Sequence, residues 1–411
     1  MTDLTLALST PQLLTSVVVL LVVTAVSVGA AAYFILLERK VSAWVQDRCG
    51  PNRVGPKGLL QPMADGLKLF VKEEFIPPAG DRTLFILAPV MSIFPAMIAF
   101  AVIPWAGTLD LSTVPFAGEL QEQVKVMGAD VNIGIIYLVA VVALSVYGIT
   151  IGGWSSNNKY SFLGGLRSTA MMVSYEVPMG LALLCVILTA GTVRADQIIA
   201  QQIDGMWFLV HQPFVAILFF TCMLAEANRT PFDLAEAEQE LVGGWHTEYS
   251  SMKWALFFMG EYIHMFVGGA FFALLFMGGW SINPITGHDL PLAGGFWMIL
   301  LQFAVVLAKV LFMVFFTMMI RWTLPRFRFD QLMRLAWEGM IPAALLLLLM
   351  TSLLVFMGWT DYLLLGSLAV LVVILLVYPY LPKQARPNHR VPLIGSRFSP
   401  LGEVDAGSAA E

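Results

Sequence analysis

The sequence predicts an all-α fold, a polytopic transmembrane helical bundle of about nine spans, and three observations predict it. Of 411 residues, 58% are hydrophobic and only 12% charged, against about 25% charged in soluble domains. Long uncharged runs recur, each exceeding the roughly 20 residues that cross a bilayer core. The 23 lysines and arginines fall almost wholly on one side once those runs are treated as alternating spans. This composition excludes a soluble globular enzyme and a disordered chain, and so few basic residues offer nothing to nucleic acid.

Runs without Asp, Glu, Lys or Arg extend from Leu4 to Leu37, Thr83 to Leu109, Val131 to Asn158, Gly205 to Ala225, Gly339 to Thr360 and Tyr362 to Pro382. Three more, Ser168 to Val193, Trp254 to His288 and Leu290 to Ile320, are interrupted only by Glu176, Glu261 and Lys309. Met-Thr-Asp precedes the first run with no basic region, so that run is read as a retained helix and not as a cleaved signal. Alternating these nine spans puts 20 of the 23 basic residues on one side, leaving Lys125 and Arg194 opposite and Lys309 inside a span. The positive-inside tendency then sets the amino terminus outside and the carboxyl terminus inside. Residues 1–381 read as one transmembrane domain with functional cytoplasmic loops 38–83, 153–170, 226–252 and 321–339, and 382–411 as an irregular cytoplasmic tail. The outer loops read as simple connections.

Cys49, Cys185 and Cys222 have no paired spacing, and the five histidines show no ligand motif. No metal or other cofactor is read as held by this chain. The chemistry concentrates in the inner loops. The first, from Glu38 to Glu74, is basic and punctuated by Gly50-Pro51, Gly55-Pro56 and Gly58; Pro62 can start a short helix carrying Met63, Leu67 and Phe70 on one face along the interface. It reads either as an orienting loop that touches anionic lipid or as part of a site. The second, Gly153 to Arg167, turns at Asn157, Asn158 and Ser161 before a helix that carries Glu176 into the apolar region. A carboxylate there costs roughly 2.5 to 3.5 kcal/mol against lipid, so it should face the bundle interior, either paired structurally, with Arg167 as a possible partner, or in ion transfer.

The third stretch is acidic against the basic trend: Glu226, Arg229, Asp233, Glu236, Glu238, Glu240 and Glu248. Thr230, Pro231 and Asp233 read as the cap and first turn of a short helix with Asp233, Glu236 and Glu240 on one face. Clustered carboxylates in partly apolar surroundings share protons and respond to nearby charge, so they are candidate relays, with Glu261 and Lys309 continuing a polar line inward. His264 reads as a hydrogen-bonded core residue. The fourth, Arg321 to Arg334, alternates Arg326 and Arg328 with Phe327 and Phe329 after Pro325 ends the seventh span; it reads as an anchoring belt or as the lining of an amphipathic ligand site.

Together ERKVSAWVQDRCGPNRVGPKGLLQPMADGLKL, GWSSNNKYSFLGGLRS with SYE, AEANRTPFDLAEAEQELVGGWHTEYS and PRFRFDQLM resemble, in order, the H-type membrane subunits of bacterial NADH-quinone oxidoreductase, respiratory complex I. The resemblance runs from about Leu13 to Leu354. It implies a multi-pass subunit of the bacterial plasma (inner) membrane that sits against other membrane and peripheral subunits and forms much of a ubiquinone or menaquinone chamber. By the same resemblance Arg39, Gln46, Arg48, Arg53, Asp65, Lys68, Arg326 and Arg328 line or shape that chamber. Glu176, Glu226, Arg229, Asp233, Glu236, Glu238, Glu240, Glu248 and Glu261 form an acidic path coupling quinone reduction to proton translocation. FMN and iron-sulfur clusters are expected in partner subunits, and quinone is the substrate. The sequence departs from the family pattern at Met171-Met172, where Ala-Gln is usual, at Glu338, where a basic residue is usual, and in a ninth span and tail beyond the common eight helices.

The other readings are the membrane subunit of a related hydrogenase or other non-NADH donor complex, a stand-alone ion channel or transporter, and a structural anchor. No repeated halves favour the transporter, and the intramembrane Glu176, Glu261 and Lys309 disfavour the anchor.

Overall fold

The computed structural model describes residues 10–114, 122–233, 241–285 and 290–377. The chain divides into two units, 1–370 and 371–411. In chain order the helices are α1 Thr10–Val45, α2 Gln61–Val71, α3 Arg82–Ala99, α4 Gly134–Ala143, α5 Ser145–Ser155, α6 Lys159–Ala190, α7 Ala195–Asp204, α8 Phe208–His211 and α9 Pro213–Glu226. They continue with α10 Ser251–Phe276, α11 Phe296–Thr323, α12 Phe329–Arg334, α13 Ile341–Phe356 and α14 Leu363–Val377. Strands β1 Thr108–Asp110, β2 Gln123–Lys125 and β3 Ala293–Gly294 form one small sheet.

Each of the nine predicted spans contains helix. Among the described residues, eight helical spans are long and apolar enough to cross a membrane, with α4 and α5 counted as one and α12 running through to α13. The fifth, α9, has only 14 residues, about 21 Å at 1.5 Å per residue, against a hydrocarbon core of about 30 Å. The apolar run begins at Gly205, but Gln212 leaves helical geometry (φ −137°, ψ 63°) before Pro213 restarts it. The chain is thus a polytopic helical membrane protein.

Helix boundaries shift the predicted loops. Glu38, Arg39 and Lys40 are good helix formers with no breaker before Gly50, so α1 continues through them to Val45 and the loop starts later than residue 38. Loop 153–170 shrinks to residues 156–158, because Asn158 caps α6 by accepting from Tyr160 N at 2.9 Å. The helix expected from Thr230 does not start there: residues 230–232 form a turn closed by Phe232 N on Arg229 O at 2.8 Å, and Asp233 is irregular. Phe232 is instead buried against Tyr175 and Phe327, so packing overrides the local cap. Glu236, Glu238 and Glu240 lie outside the described residues, as does the tail 382–411. In the fourth stretch α11 ends at Thr323, just before Pro325, as expected.

The span α10 is the most enclosed. Phe266 on it packs against Phe34, Phe100 and Trp105, and Phe271 and Phe276 pack against Phe219 of α9. At the far end, opposite the basic loops, the connections are more built than their composition suggests. β1 pairs antiparallel with β2 and parallel with β3, and Lys125 bridges Asp130 at 2.6 Å and Asp196 at 2.8 Å while Arg194 holds the same two carboxylates. Lys309 belongs to this end and not to an inner polar line. Its ammonium donates to the carbonyls of Met277 (2.5 Å), Gly279 (2.8 Å) and Ser281 (2.5 Å), past the end of α10, and lies 4.2 Å from the centre of the Trp207 ring.

Candidate functional site: a buried charge network at the basic end

The four polar stretches converge at one end of the bundle. α2 is tied to the start of α10 by Ser251 Oγ, which donates to the carbonyls of Leu69 and Lys72. The α5–α6 turn is tied to the third stretch by Asn158 Nδ2 on Glu248 Oε1 at 2.7 Å. Close backbone approach makes the second link possible: a Cβ on Gly164 of α6 would lie 2.7 Å from Trp245 N and 2.8 Å from Gly244 Cα. Phe327 N reaches Pro231 O at 3.3 Å, joining the fourth stretch to the third.

Glu38 is the hub. It is 7% exposed and accepts from Tyr262 Oη at 2.7 Å, from Arg229 Nη1 at 3.2 Å and from Arg321 Nη1. Arg229, 4% exposed, continues to Glu261 Oε2 at 3.6 Å and stacks over the Tyr262 ring at 4.3 Å. The result is an alternating chain, Arg321, Glu38, Arg229, Glu261, in which each carboxylate faces a guanidinium. Charges so far from water persist only when paired and hydrogen-bonded. Beside it Arg326 Nη2 holds Asp233 Oδ2 at 3.0 Å.

Glu38, Tyr262 and Arg321 were not among the residues singled out from sequence. A signal existed: Glu38 follows Phe34 and precedes Val41 at i, i+4 and i+7, on the buried face of α1. The predicted first-stretch residues are local and outward instead. Arg39 pairs with Asp65 at 2.7 Å, Arg48 with Gln46 at 2.7 Å, and Arg53 and Lys68 are exposed, as are Arg326 and Arg328. On α2, Met63, Leu67 and Phe70 point away from the protein at 68–74% exposure, an amphipathic helix as expected.

Glu176 is half-buried on α6. Nine residues separate it from Arg167, about 13.5 Å of rise and half a turn out of phase, so Arg167 is not its partner; that guanidinium lies 5.6 Å from the Phe329 ring centre. Glu226, at the end of α9, has a buried Oε1 with no hydrogen-bond partner among the described residues. It lines two cavities. One is apolar and bounded by Met179, Phe219, Met223 and Phe271; the other is bounded by Ser92, Asn228 and Glu261; His264 lines both. Met172, one of the departures from the family pattern, offers its sulfur to Asn228 Nδ2 at 3.7 Å and Ser168 Oγ at 3.8 Å, so it still serves as a weak acceptor. Just outside the spans, burial pushes the Tyr249 phenol up to about 12, and its neutral hydroxyl donates to Phe85 O at 3.3 Å.

The profile of a family described as NADH dehydrogenase matches residues 17–352, leaving α14 beyond it. An H-type NADH-quinone oxidoreductase subunit of Cytophaga hutchinsonii is 44% identical over 340 residues, 83% of this chain and 96% of that protein. The corresponding H-type protein of Geobacter metallireducens is 46% identical over 322 residues, 78% of this chain and 91% of the relative. That of Leptospira biflexa is 46% identical over 327 residues, 78% and 89% respectively. With its full span set, four converging polar stretches and identity across nearly the whole length of these relatives, the chain belongs to the NADH dehydrogenase family that contains the H-type subunits of NADH-quinone oxidoreductase.

Proposed function

We propose that this chain is the membrane subunit of a proton-translocating NADH:quinone oxidoreductase that forms part of the quinone chamber and couples quinone reduction to proton movement. The observation that carries this reading is the continuous polar route at the basic end. Arg321, Glu38, Arg229 and Glu261 alternate in charge, and Glu261 shares a cavity with Glu226. In this reading the chain lies in the bacterial inner membrane, and the positive-inside tendency sets its basic end toward the cytoplasm and its amino terminus outside.

Arg39, Gln46, Arg48, Arg53, Lys68, Arg326 and Arg328, all exposed, and the half-buried Asp65 form the membrane-side wall of the chamber, closed by peripheral subunits. Electrons arrive from partner subunits carrying FMN and iron-sulfur clusters. A quinone that gains charge on reduction perturbs the nearest guanidinium, and the perturbation passes along alternating charges because each carboxylate is held by the next cation. Glu176, Glu226, Arg229, Asp233, Glu248 and Glu261 act on this route, with Glu236, Glu238 and Glu240 completing its acidic loop. The names of the relatives favour an NADH donor over the hydrogenase reading.

The test is Glu226→Gln and Glu261→Gln in the assembled complex. Quinone reductase turnover and proton pumping should fall together, by on the order of 10-fold or more if these groups carry protons. Native turnover and pumping in an intact complex would overturn the coupling role. Purification with a nickel centre in place of an NADH-oxidising flavoprotein would overturn the choice of donor.

A further inference from the structure

A third titratable side chain borders the cavity that Glu226 and Glu261 share. His264 lies three residues after Glu261 on α10, so the two side chains share a helix face, and both line the small cavity that Glu226 lines from α9. The imidazole also borders the second, apolar cavity with Glu226. It is the basic side chain common to both.

Its tautomer follows from one contact. His264 Nε2 lies 3.1 Å from Ser92 O, and a carbonyl oxygen can only accept, so Nε2 carries the hydrogen. In the neutral ring the other nitrogen, Nδ1, is then an acceptor. Across the cavity Glu226 Oε1 is buried with no hydrogen-bond partner among the described residues, a costly condition for a charged oxygen and one that a proton relieves. Among the described residues Glu261 is in turn ion-paired with Arg229 at 3.6 Å.

We propose that His264 is the proton-carrying residue between Glu226 and Glu261. The inference rests on the coupling route proposed above and names its central step. The Glu226 carboxylic acid gives its proton to Nδ1 of neutral His264, leaving a carboxylate and an imidazolium. The imidazolium gives the Nδ1 proton to the Glu261 carboxylate, which Arg229 holds close by, and the neutral ring is restored with Nε2–H still on Ser92. No net charge or atom is lost, and the reverse sequence moves the proton back. The Ser92 contact keeps the ring from turning its donor nitrogen into the cavity.

The experiment uses the assembled complex in proteoliposomes, with His264→Gln, which keeps an amide donor but cannot accept a proton at neutral pH, and His264→Ala with and without added imidazole. Glu226→Gln is run in parallel. Turnover and pumping in the Gln variant should fall on the order of 10-fold or more, as for loss of a general acid–base group. Imidazole should restore the Ala variant several-fold. Native pumping in His264→Gln, or an Ala variant that imidazole does not restore, overturns the proposal, and the coupling route itself stands if Glu226→Gln is then inactive. If Glu226→Gln pumps normally, the route fails and this step with it. Should Gln disturb assembly, the imidazole response of the Ala variant decides.

Discussion

Arg229 reaches Glu38 across 191 positions of sequence, Nη1 to Oε2 at 3.2 Å, with both side chains almost wholly buried. The same guanidinium serves Glu261 and stacks on Tyr262, so one side chain fixes α1, the third polar stretch and α10 against each other.

Arg229→Ala should therefore leave two buried carboxylates without their shared cation, a loss of about 3–5 kcal/mol for a broken buried pair. Arg229→Lys should rescue only in part, because a single ammonium cannot bridge both carboxylates and lie flat on the Tyr262 ring. Yield of assembled complex and thermal midpoint in detergent measure this; a Lys variant equal to the native protein would show that the fork geometry is irrelevant.

Lys309→Met should weaken the far end without touching the charge network. It strips the carbonyls of Met277, Gly279 and Ser281 of a shared donor, and each buried acceptor left unsatisfied costs about 1–3 kcal/mol. A clear drop in thermal midpoint is expected, with assembled molecules retaining quinone reductase turnover.

Gly164→Ala should separate α6 from the Gly244–Trp245 turn, since the new Cβ would fall 2.7 Å from a backbone nitrogen that cannot yield alone. Overpacking of this kind costs about 1–3 kcal/mol, and it loosens the link between Asn158 and Glu248. Limited proteolysis of the α9–α10 connection should speed up.

The far-end ion cluster sets a pH window. Burial opposes charge on both partners. For Asp196 the hydrogen bonds from Lys125 and Arg194 outweigh it and hold the carboxyl below its ordinary 3.8; for Lys125 the bonds to Asp130 and Asp196 outweigh it and hold the ammonium above 10.5. The Asp196 contribution is present above the unfolded value and is lost as pH falls through the lower folded value. The Lys125 contribution is present below 10.5 and is lost as pH rises through the higher folded value. Asp196→Asn should lower stability at neutral pH by about 1 kcal/mol or less, as partly exposed pairs do, and flatten the acid limb of a melting profile taken from pH 7 to 3.

The apolar runs that become helices, the end that holds the basic residues and the position of each polar stretch were legible in the sequence, while the short length of α9 was not. Hydropathy is summed over neighbouring residues, and a run such as Leu4 to Leu37 can only be satisfied in lipid or in a core. Turn chemistry was equally local: Gly55 and Gly58 take the left-handed φ of 72° and 78° that their Gly-Pro-x-Gly setting calls for. The cap read at Thr230 failed because its residues are also used elsewhere, Phe232 in the core and Asp233 on Arg326.

What the sequence by itself determined is thus an all-α membrane bundle with its chemistry gathered at one end. Only the tertiary structure decided which charges meet: that Glu38 is the hub, that Lys309 is a clamp at the opposite end, and that His264 lines one cavity with Glu226 and Glu261. The physical reason is range. Burial in lipid is dictated residue by residue along a helix, whereas an ion pair such as Arg229 with Glu38 requires groups 191 positions apart to come within a few ångströms, and the packing of the helices against each other sets that distance.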